Sequence, residues 1–353
     1  MISSFGMRVY NDNGSSFIFD EHCSACKILG VFKYYPRTYD ISRRTGIYVP
    51  EGYQEAIGFS SQSVVFSDSS SGYLKYHGLG DMSYYLDEDR QIILESGSKG
   101  TTSGNKIGEK QDCTVFAWPI TASGNYGLSF SGYDNFSKIT DMSDFSFLLY
   151  SGEVDINPGG WVPSSIDKSY DFDNTVIFFY WENPHASLVK YYDFSLWDGS
   201  IIDKKYVFYD QNGNGVSEII KAKIVIFGKG SANKSKYGIR FFGNSGGDYF
   251  DVNDGVLIRP TFFSMGTQSL YDFKGVPGVN RPMILPTTIG GYAKGWQIDR
   301  AYWELGVANN GFQLAPSPAK RKYVYYNRFD PLYVVSDYPV LVLDAENYFN
   351  FGD

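Results

Sequence analysis

Disulfide chemistry is the first thing this chain lacks. Three cysteines, Cys23, Cys26 and Cys113, are spread over 353 residues. They are too few for a disulfide framework, and one must stay unpaired within a monomer. A reducing cytosol, or a particle assembled in one, is the expected home. Long apolar runs are also missing. The longest, Val176-Ile177-Phe178-Phe179-Tyr180-Trp181, falls far short of the ~20 residues a spanning helix needs, so no membrane insertion is expected. The opening Met1-Ile2-Ser3-Ser4-Phe5-Gly6 has no basic stretch leading into an apolar one, and no secretory leader is expected there. Charge is sparse, at 20% of residues with a net of -8. The densest basic run, Lys320-Arg321-Lys322, is short and reads as a solvated face. Binding a phosphate backbone needs larger Lys and Arg clusters, so no nucleic-acid partner is expected. No window sustains an apolar stripe at 3.6 spacing, which argues against helices.

What is abundant points to sheet. Aromatics make up 18% of the chain, with 30 Tyr and 27 Phe, and there are 38 Gly. Aromatic and β-branched side chains suit a pleated, half-buried surface, and Gly supplies tight turns. Strand composition is clear in Gly46-Ile47-Tyr48-Val49, Ser63-Val64-Val65-Phe66, Thr175-Val176-Ile177-Phe178-Phe179-Tyr180, Lys205-Tyr206-Val207-Phe208-Tyr209, Ala222-Lys223-Ile224-Val225-Ile226-Phe227 and Tyr323-Val324-Tyr325-Tyr326. The Ser- and Gly-rich stretch 96–108 reads as a mobile loop. The expected fold class is all-β.

A motif recurs three times. Phe5-Gly6-Met7-Arg8-Val9-Tyr10 is followed later by Tyr126-Gly127-Leu128-Ser129-Phe130 and by Tyr237-Gly238-Ile239-Arg240-Phe241-Phe242. Each places an aliphatic and an apolar residue two apart, on one face of a strand. Each is followed by turn residues and then by a run ending in Asp20, Asp141 or Asp251. That is the pattern of a β-hairpin whose turn varies while the strands keep register. Val115-Phe116 stands before the second copy as Ile226-Phe227 stands before the third. The pairs Val49-Pro50, Val162-Pro163 and Val276-Pro277 suggest a shared strand boundary, because Pro is confined to edges and strand starts. The spacing suits three tandem β-sandwich-like domains over 1–122, 123–233 and 234–353, with linkers at 121–125 and 229–236. A single large β-domain with recurrent hairpins is the alternative.

Chemistry-bearing motifs are weak. Gly243-Asn244-Ser245-Gly246-Gly247 fits a nucleophile loop, and His22 stands beside Cys23, but the run falls where the other copies have hairpin turns, and no helix pattern follows it. His22, Cys23 and Cys26 offer three metal ligands without a second Cys pair. Asp210-Gln211-Asn212-Gly213-Asn214-Gly215 starts like a calcium loop, but position 12 is Lys221 and only Glu218 could substitute, so an Asn-Gly turn is the default. Asp87-Glu88-Asp89 reads as a solvated turn, not as one half of a carboxylate pair. Trp161, Trp181, Trp197 and Trp303 could be sugar-stacking platforms, though buried aromatics are the commoner fate. The expectation is no enzyme, no catalytic residues, no metal and no cofactor.

The run Gly6-Met7-Arg8-Val9-Tyr10-Asn11-Asp12-Asn13-Gly14, with Phe19-Asp20 and Ile28-Leu29-Gly30, resembles minor tail proteins of long-tailed enterobacterial bacteriophages. Tyr237-Gly238-Ile239-Arg240-Phe241-Phe242 with Phe250-Asp251 looks like the second copy such proteins often carry. The middle copy departs most, with Ser129, Ser131 and Thr140-Asp141. The resemblance implies a β-rich virion protein of the tail or its tip, built in the host cytoplasm, and no activity. Other phage tail proteins are then the expected partners, with the chain a homo-oligomer in the virion. A host-attachment module that binds a surface receptor or glycan is the runner-up, and a polysaccharide-degrading enzyme comes last.

Overall fold

The structure is a computed structural model that describes residues 6–10, 16–20, 26–35, 42–70, 73–98, 111–120, 127–131, 136–140, 146–194, 201–228, 240–242, 248–251, 255–294, 301–323 and 332–352. Two short 3-10 turns, Pro163–Ser165 and Ala345–Asn347, are the only helical elements among these residues, and the fold is all-β. In chain order, a hairpin of β1 (Gly6–Tyr10) and β2 (Ser16–Asp20) leads into β3 (Lys27–Tyr34), β4 (Arg43–Tyr48), β5 (Tyr53–Phe59), β6 (Ser63–Ser70), β7 (Tyr73–Leu86), β8 (Gln91–Ser98) and β9 (Gln111–Pro119). A second hairpin, β10 (Gly127–Ser131) and β11 (Phe136–Thr140), leads into β12 (Phe147–Ile156), β13 (Thr175–Tyr180), β14 (Glu182–Phe194), β15 (Ile201–Asp210) and β16 (Ile220–Gly228). A third, β17 (Arg240–Phe242) and β18 (Asp248–Asp251), leads into β19 (Thr261–Phe263), β20 (Pro282–Ile284), β21 (Gly290–Lys294), β22 (Ala301–Asn310), β23 (Leu314–Tyr323), β24 (Leu332–Val335) and β25 (Val340–Asp344).

The three expected hairpins are present, each a separate two-stranded ribbon, but their registers differ. Gly6 faces Asp20, Gly127 faces Thr140 and Arg240 faces Asp251, so the strands slip while the turn varies. A ribbon with no third strand specifies register weakly, which is why the similar Gly-to-Asp spacing misleads.

The stronger repetition lies in the strands that follow. The first set forms a three-stranded sheet in the order β3-β9-β5. The six-stranded sheet reads β12-β16-β13-β20-β25-β19, which is the same trio twice: the strand after the hairpin, the last long strand, and the strand after the Val-Pro pair. The registers agree residue by residue. Gly30 faces Val115, Tyr150 faces Ile226 and Thr261 faces Val342. On the other side of the last strand, Ala56 faces Phe116, Val176 faces Phe227 and Met283 faces Leu343. Leu29 and Leu149 are each left out of the ladder at a register shift. The corresponding residue of the third set is Pro260, which has no N–H to pair.

The residues four places before Gly30, Tyr150 and Thr261 are Cys26, Ser146 and Leu257. They close a ring of backbone hydrogen bonds. Cys26 N–H donates to the Leu257 carbonyl at 2.6 Å, Leu257 N–H to Ser146 at 2.8 Å, and Ser146 N–H to Cys26 at 3.2 Å. Equivalent positions of the three sets thus bond cyclically, as three subunits around an axis would.

One apolar core lies between the trios, with Phe116 and Trp118 from the first, Phe178 and Phe227 from the second, and Met283, Leu341 and Leu343 from the third. Positions 58, 178 and 285 are equivalent in this register and carry Gly, Phe and Leu. A Cβ on Gly58 would sit 2.3 Å from the Leu285 side chain and 3.0 Å from Phe116, so the converging positions cannot all be large. The opposite faces of the trios pack on outer sheets. Ile57, Phe59, Cys113 and Val115 meet β7 and β8 of the four-stranded sheet β4-β8-β7-β6. Ile177, Phe179, Ile224, Ile284 and Val342 meet the sheet β15-β14-β22-β21-β24, with β23 beside β22. A strand covered on both faces cannot alternate apolar with polar residues, and β13, buried throughout, supplies most of the longest apolar run of the chain.

Three free-standing sandwiches are not seen. Two strand ladders cross the boundary expected near 233/234, where Phe179 of β13 faces Ile284 of β20 and where Glu182 and Asn183 of β14 face Asn310 and Asn309 of β22. Joining the second and third sets edge to edge removes strand edges that would otherwise need protection. The expected linkers at 121–125 and 229–236 lie outside the described residues. Within the stretch 96–108, residues 96–98 belong to β8 and the rest lies outside. Five of the six strand stretches quoted above fall on strands. The last starts at Tyr323, the end of β23, and runs outside the described residues.

Phe227 is fully buried in the core shared by all three trios. Truncation there should lower stability by about 3–5 kcal/mol. Because the core is common, Phe227→Ala should shift a single urea transition of the whole chain. Two separate transitions, with the strands of 26–119 keeping their midpoint, would contradict a shared core.

Candidate functional site

Strand parity marks one anomaly. On β9, Phe116 and Trp118 point into the shared core, and Asp112 has the same parity. On β14, Leu188 points into the neighbouring core, and Lys190 has its parity. The two charged groups meet where the first and second sets touch. Lys190 Nζ lies 2.9 Å from Asp112 Oδ2, and the Tyr192 hydroxyl donates to the same oxygen at 2.5 Å. Only 3% of the Asp112 side chain and 11% of the Lys190 side chain are exposed. The network continues outward, with Lys204 3.9 Å from Asp112 and 2.9 Å from Asp173, and Lys33 2.6 Å from Asp173. Asp173 sits in the turn ahead of β13, where Asp171 Oδ1 accepts from the Asp173 and Asn174 N–H groups and fixes the chain.

Burial alone would raise the Asp112 carboxyl. The Lys190 ammonium, the Tyr192 hydroxyl and Lys204 outweigh it and hold the group below its ordinary range. Burial lowers the Lys190 ammonium despite Asp112. The two directions pull apart, one favouring the ion pair and the other the neutral amine. The short contact and the phenol on the same oxygen favour the charged pair. Burial likewise raises Asp173, but the bonds from Lys33 and Lys204 win and bring it down to about 2. Asp112 Oδ1 has no hydrogen-bond partner among the described residues.

Beside this network lies a cavity of about 20 Å³, lined by residues that include Ser60, Thr114, Thr175, Tyr206 and Leu285. That is room for one water molecule. A carboxylate held by two ammonium groups and a phenol is not poised as a base near neutral pH, since general base work needs a pKa near the operating pH. The arrangement suits a charge-paired clamp between two strand sets.

The motifs singled out above are dispersed. Ser245, His22, Cys23 and Trp197 lie outside the described residues. Cys26 and Cys113 are buried, and burial pushes the Cys113 thiol up. In the 210–215 run, Asp210 Oδ1 accepts from the Asn212 and Asn214 N–H groups, and Gly213 has φ 73°. The Asn212 carbonyl accepts from the Trp303 indole, and the Gly213 carbonyl from Arg321 N–H. Those oxygens hold a turn against β22 and β23. Lys221 pairs with Glu153 at 2.9 Å, and Glu218 is exposed. Asp87 caps its own turn, accepting from Asp89 and Gln91 N–H. Trp161 and Trp181 are core residues, whereas Trp303 is half-buried and packs on Tyr292.

The chain matches a family of unknown function, DUF6453, over residues 83–326. It belongs to this family. The DUF6453 match runs from within β7 to just past β23, spanning the whole second set and parts of the other two. Asp112, Lys190, Tyr192 and Asp173 lie inside it, whereas Lys33 and the first hairpin lie before it. No curated protein matches the chain, and no solved structure does.

A carboxyl held low stabilises the fold above its unfolded pKa of ~4, and that stability is lost as pH falls through the folded value. For Asp173 the window runs from there down to about 2. Half of the Asp173 side chain is exposed, so solvent screens its share. Acid titration followed by intrinsic fluorescence should show loss of structure in that window, and Asp173→Asn should flatten it. A profile unchanged by the substitution would remove Asp173 from the account.

Proposed function

We propose that this chain is a structural component of a bacteriophage tail, a minor tail or tail-tip protein, that acts by protein–protein assembly. The observation that carries the reading is the cyclic bond ring of Cys26, Ser146 and Leu257 above three strand trios in one register. A chain that repeats a unit three times around an axis offers partners what a cyclic trimer offers, and cyclic assemblies are built from matching cyclic faces. The finer division goes with this reading: three copies of one β-unit over 1–122, 123–233 and 234–353, the last two sharing sheets. Several copies then join other tail proteins in the virion after synthesis in the host cytoplasm. The hairpin resemblance supports the location.

A second reading, attachment to a host receptor or glycan, is favoured by one row of side chains. Tyr333, Tyr292, Trp303 and Arg321 face one another across four paired strands, β24, β21, β22 and β23. Tyr333 is 39% exposed at its end. Hydrolysis of a polysaccharide is the weakest reading.

Purified particles should contain the chain by mass spectrometry, and the isolated protein should leave host polysaccharide and peptidoglycan intact. Absence from mature particles would overturn the structural reading. Turnover of such a polymer, abolished by a single carboxylate substitution, would promote the enzyme. If Trp303→Ala and Tyr333→Ala abolish adsorption yet leave particle assembly normal, the second reading takes precedence.

A further inference from the structure

Three units with one inner register create a hazard. An inner sheet of one unit, or of a second chain, fits geometrically where another belongs, which is the condition for domain swapping. The seams between the units are held differently. The second and third are zipped by strand pairs. The third and first share a parallel bridge between Ser61 and Thr288. The first and second meet through the Asp112–Lys190 pair.

The shared register allows charges to be compared at one position. In the first unit Lys33 faces Asp112 across β3 and β9. At the equivalent step of β12 and β16, Glu153 faces Lys223, so both signs are reversed. In the third unit Phe263 faces Val340, and the next step falls on Ser264 and Pro339, with no charge. One ladder position therefore reads Lys/Asp, Glu/Lys and Ser/Pro in the three units. Lys190 meets a carboxylate only when the first unit occupies its place. With the second unit's strand there it would face the ammonium of Lys223, and with the third's a proline.

We infer that this position fixes the cyclic order of the units, and that the Asp112–Lys190 pair is a specificity device against swapped and misordered assembly. A buried ion pair is poor evidence of net stability, since two desolvated charges can be replaced by apolar residues at little loss, and its best-attested use is to select register or partner. Like charges brought together at a close contact supply the discrimination. The inference holds whatever the chain assembles with.

The test uses the full chain with two different affinity tags, refolded together from denaturant, with mixed-tag complexes measured by sequential capture and light scattering. In Asp112→Leu with Lys190→Met, folded protein should form mixed-tag complexes at least about ten-fold above the natural sequence. Asp112→Lys should do so as well, and adding Lys190→Asp should not bring the level back, because a carboxylate at position 190 is matched by Lys223 of the second unit too. Mixed-tag complexes no more abundant than in the natural sequence, whether the variants fold or lose stability, would overturn the inference and leave the pair a local contact. Restoration of the natural level by the charge-reversed double variant would also overturn it.

Discussion

Three backbone hydrogen bonds, joining Cys26, Leu257 and Ser146 in a closed circuit, set the frame for everything else in this fold. Buried N–H and C=O groups must find partners, and here each finds one in a different part of the chain. The three strands that leave this circuit are β3, β12 and β19, and each carries its trio with it. Because all three start from equivalent points, the inner faces converge on one core, and the side chains there must differ in size to fit. Gly58, Phe178 and Leu285 occupy one level and cannot all be bulky. The sequence differences between units at the centre are thus a consequence of packing around an axis.

The seams show how the same backbone plan tolerates different chemistry. Between the second and third units, strand edges meet and the ladder continues. Between the first and second, the contact includes two Asp and three Lys side chains, of which Asp112 and Lys190 are largely out of water. Charged groups so placed persist only when paired. Asp112 has its lysines and a phenol, and the residue lines a cavity large enough for a water.

Much of this was legible in the residues, and the rest was hidden for definite reasons. Composition alone announced an all-β chain, and β13 matches the longest apolar run nearly residue for residue because both its faces are covered. Hairpins were readable because turn residues are local. Their registers were not, because nothing outside the ribbon pins them. Val115-Phe116 and Ile226-Phe227 stand out as a repeat because a hairpin motif follows each, whereas Val342-Leu343, their equivalent, is followed by the 3-10 turn Ala345–Asn347. Sharing of sheets between the second and third units was not readable, since edge pairing depends on which strands end up side by side. The Asp112 network was overlooked for a similar reason: Lys190 between Val189 and Tyr191 looks like a solvent-facing residue until the parity of Leu188 is known.

The inner trios are alike, yet the outer layers are not. The first unit covers itself with β4-β8-β7-β6, whereas β14 and β15 of the second join β21 to β24 of the third in one sheet. An axis therefore governs the core, while the exterior presents one independent face and one composite face. In a particle built from cyclic parts, a chain of this kind would use the two faces on different neighbours. A homotrimer of single units cannot do that, because its faces are identical by symmetry. Fusing three units in one chain frees each exterior to diverge while the common core keeps the geometry. On the proposed reading, that freedom is what a protein at a junction between unlike tail parts requires.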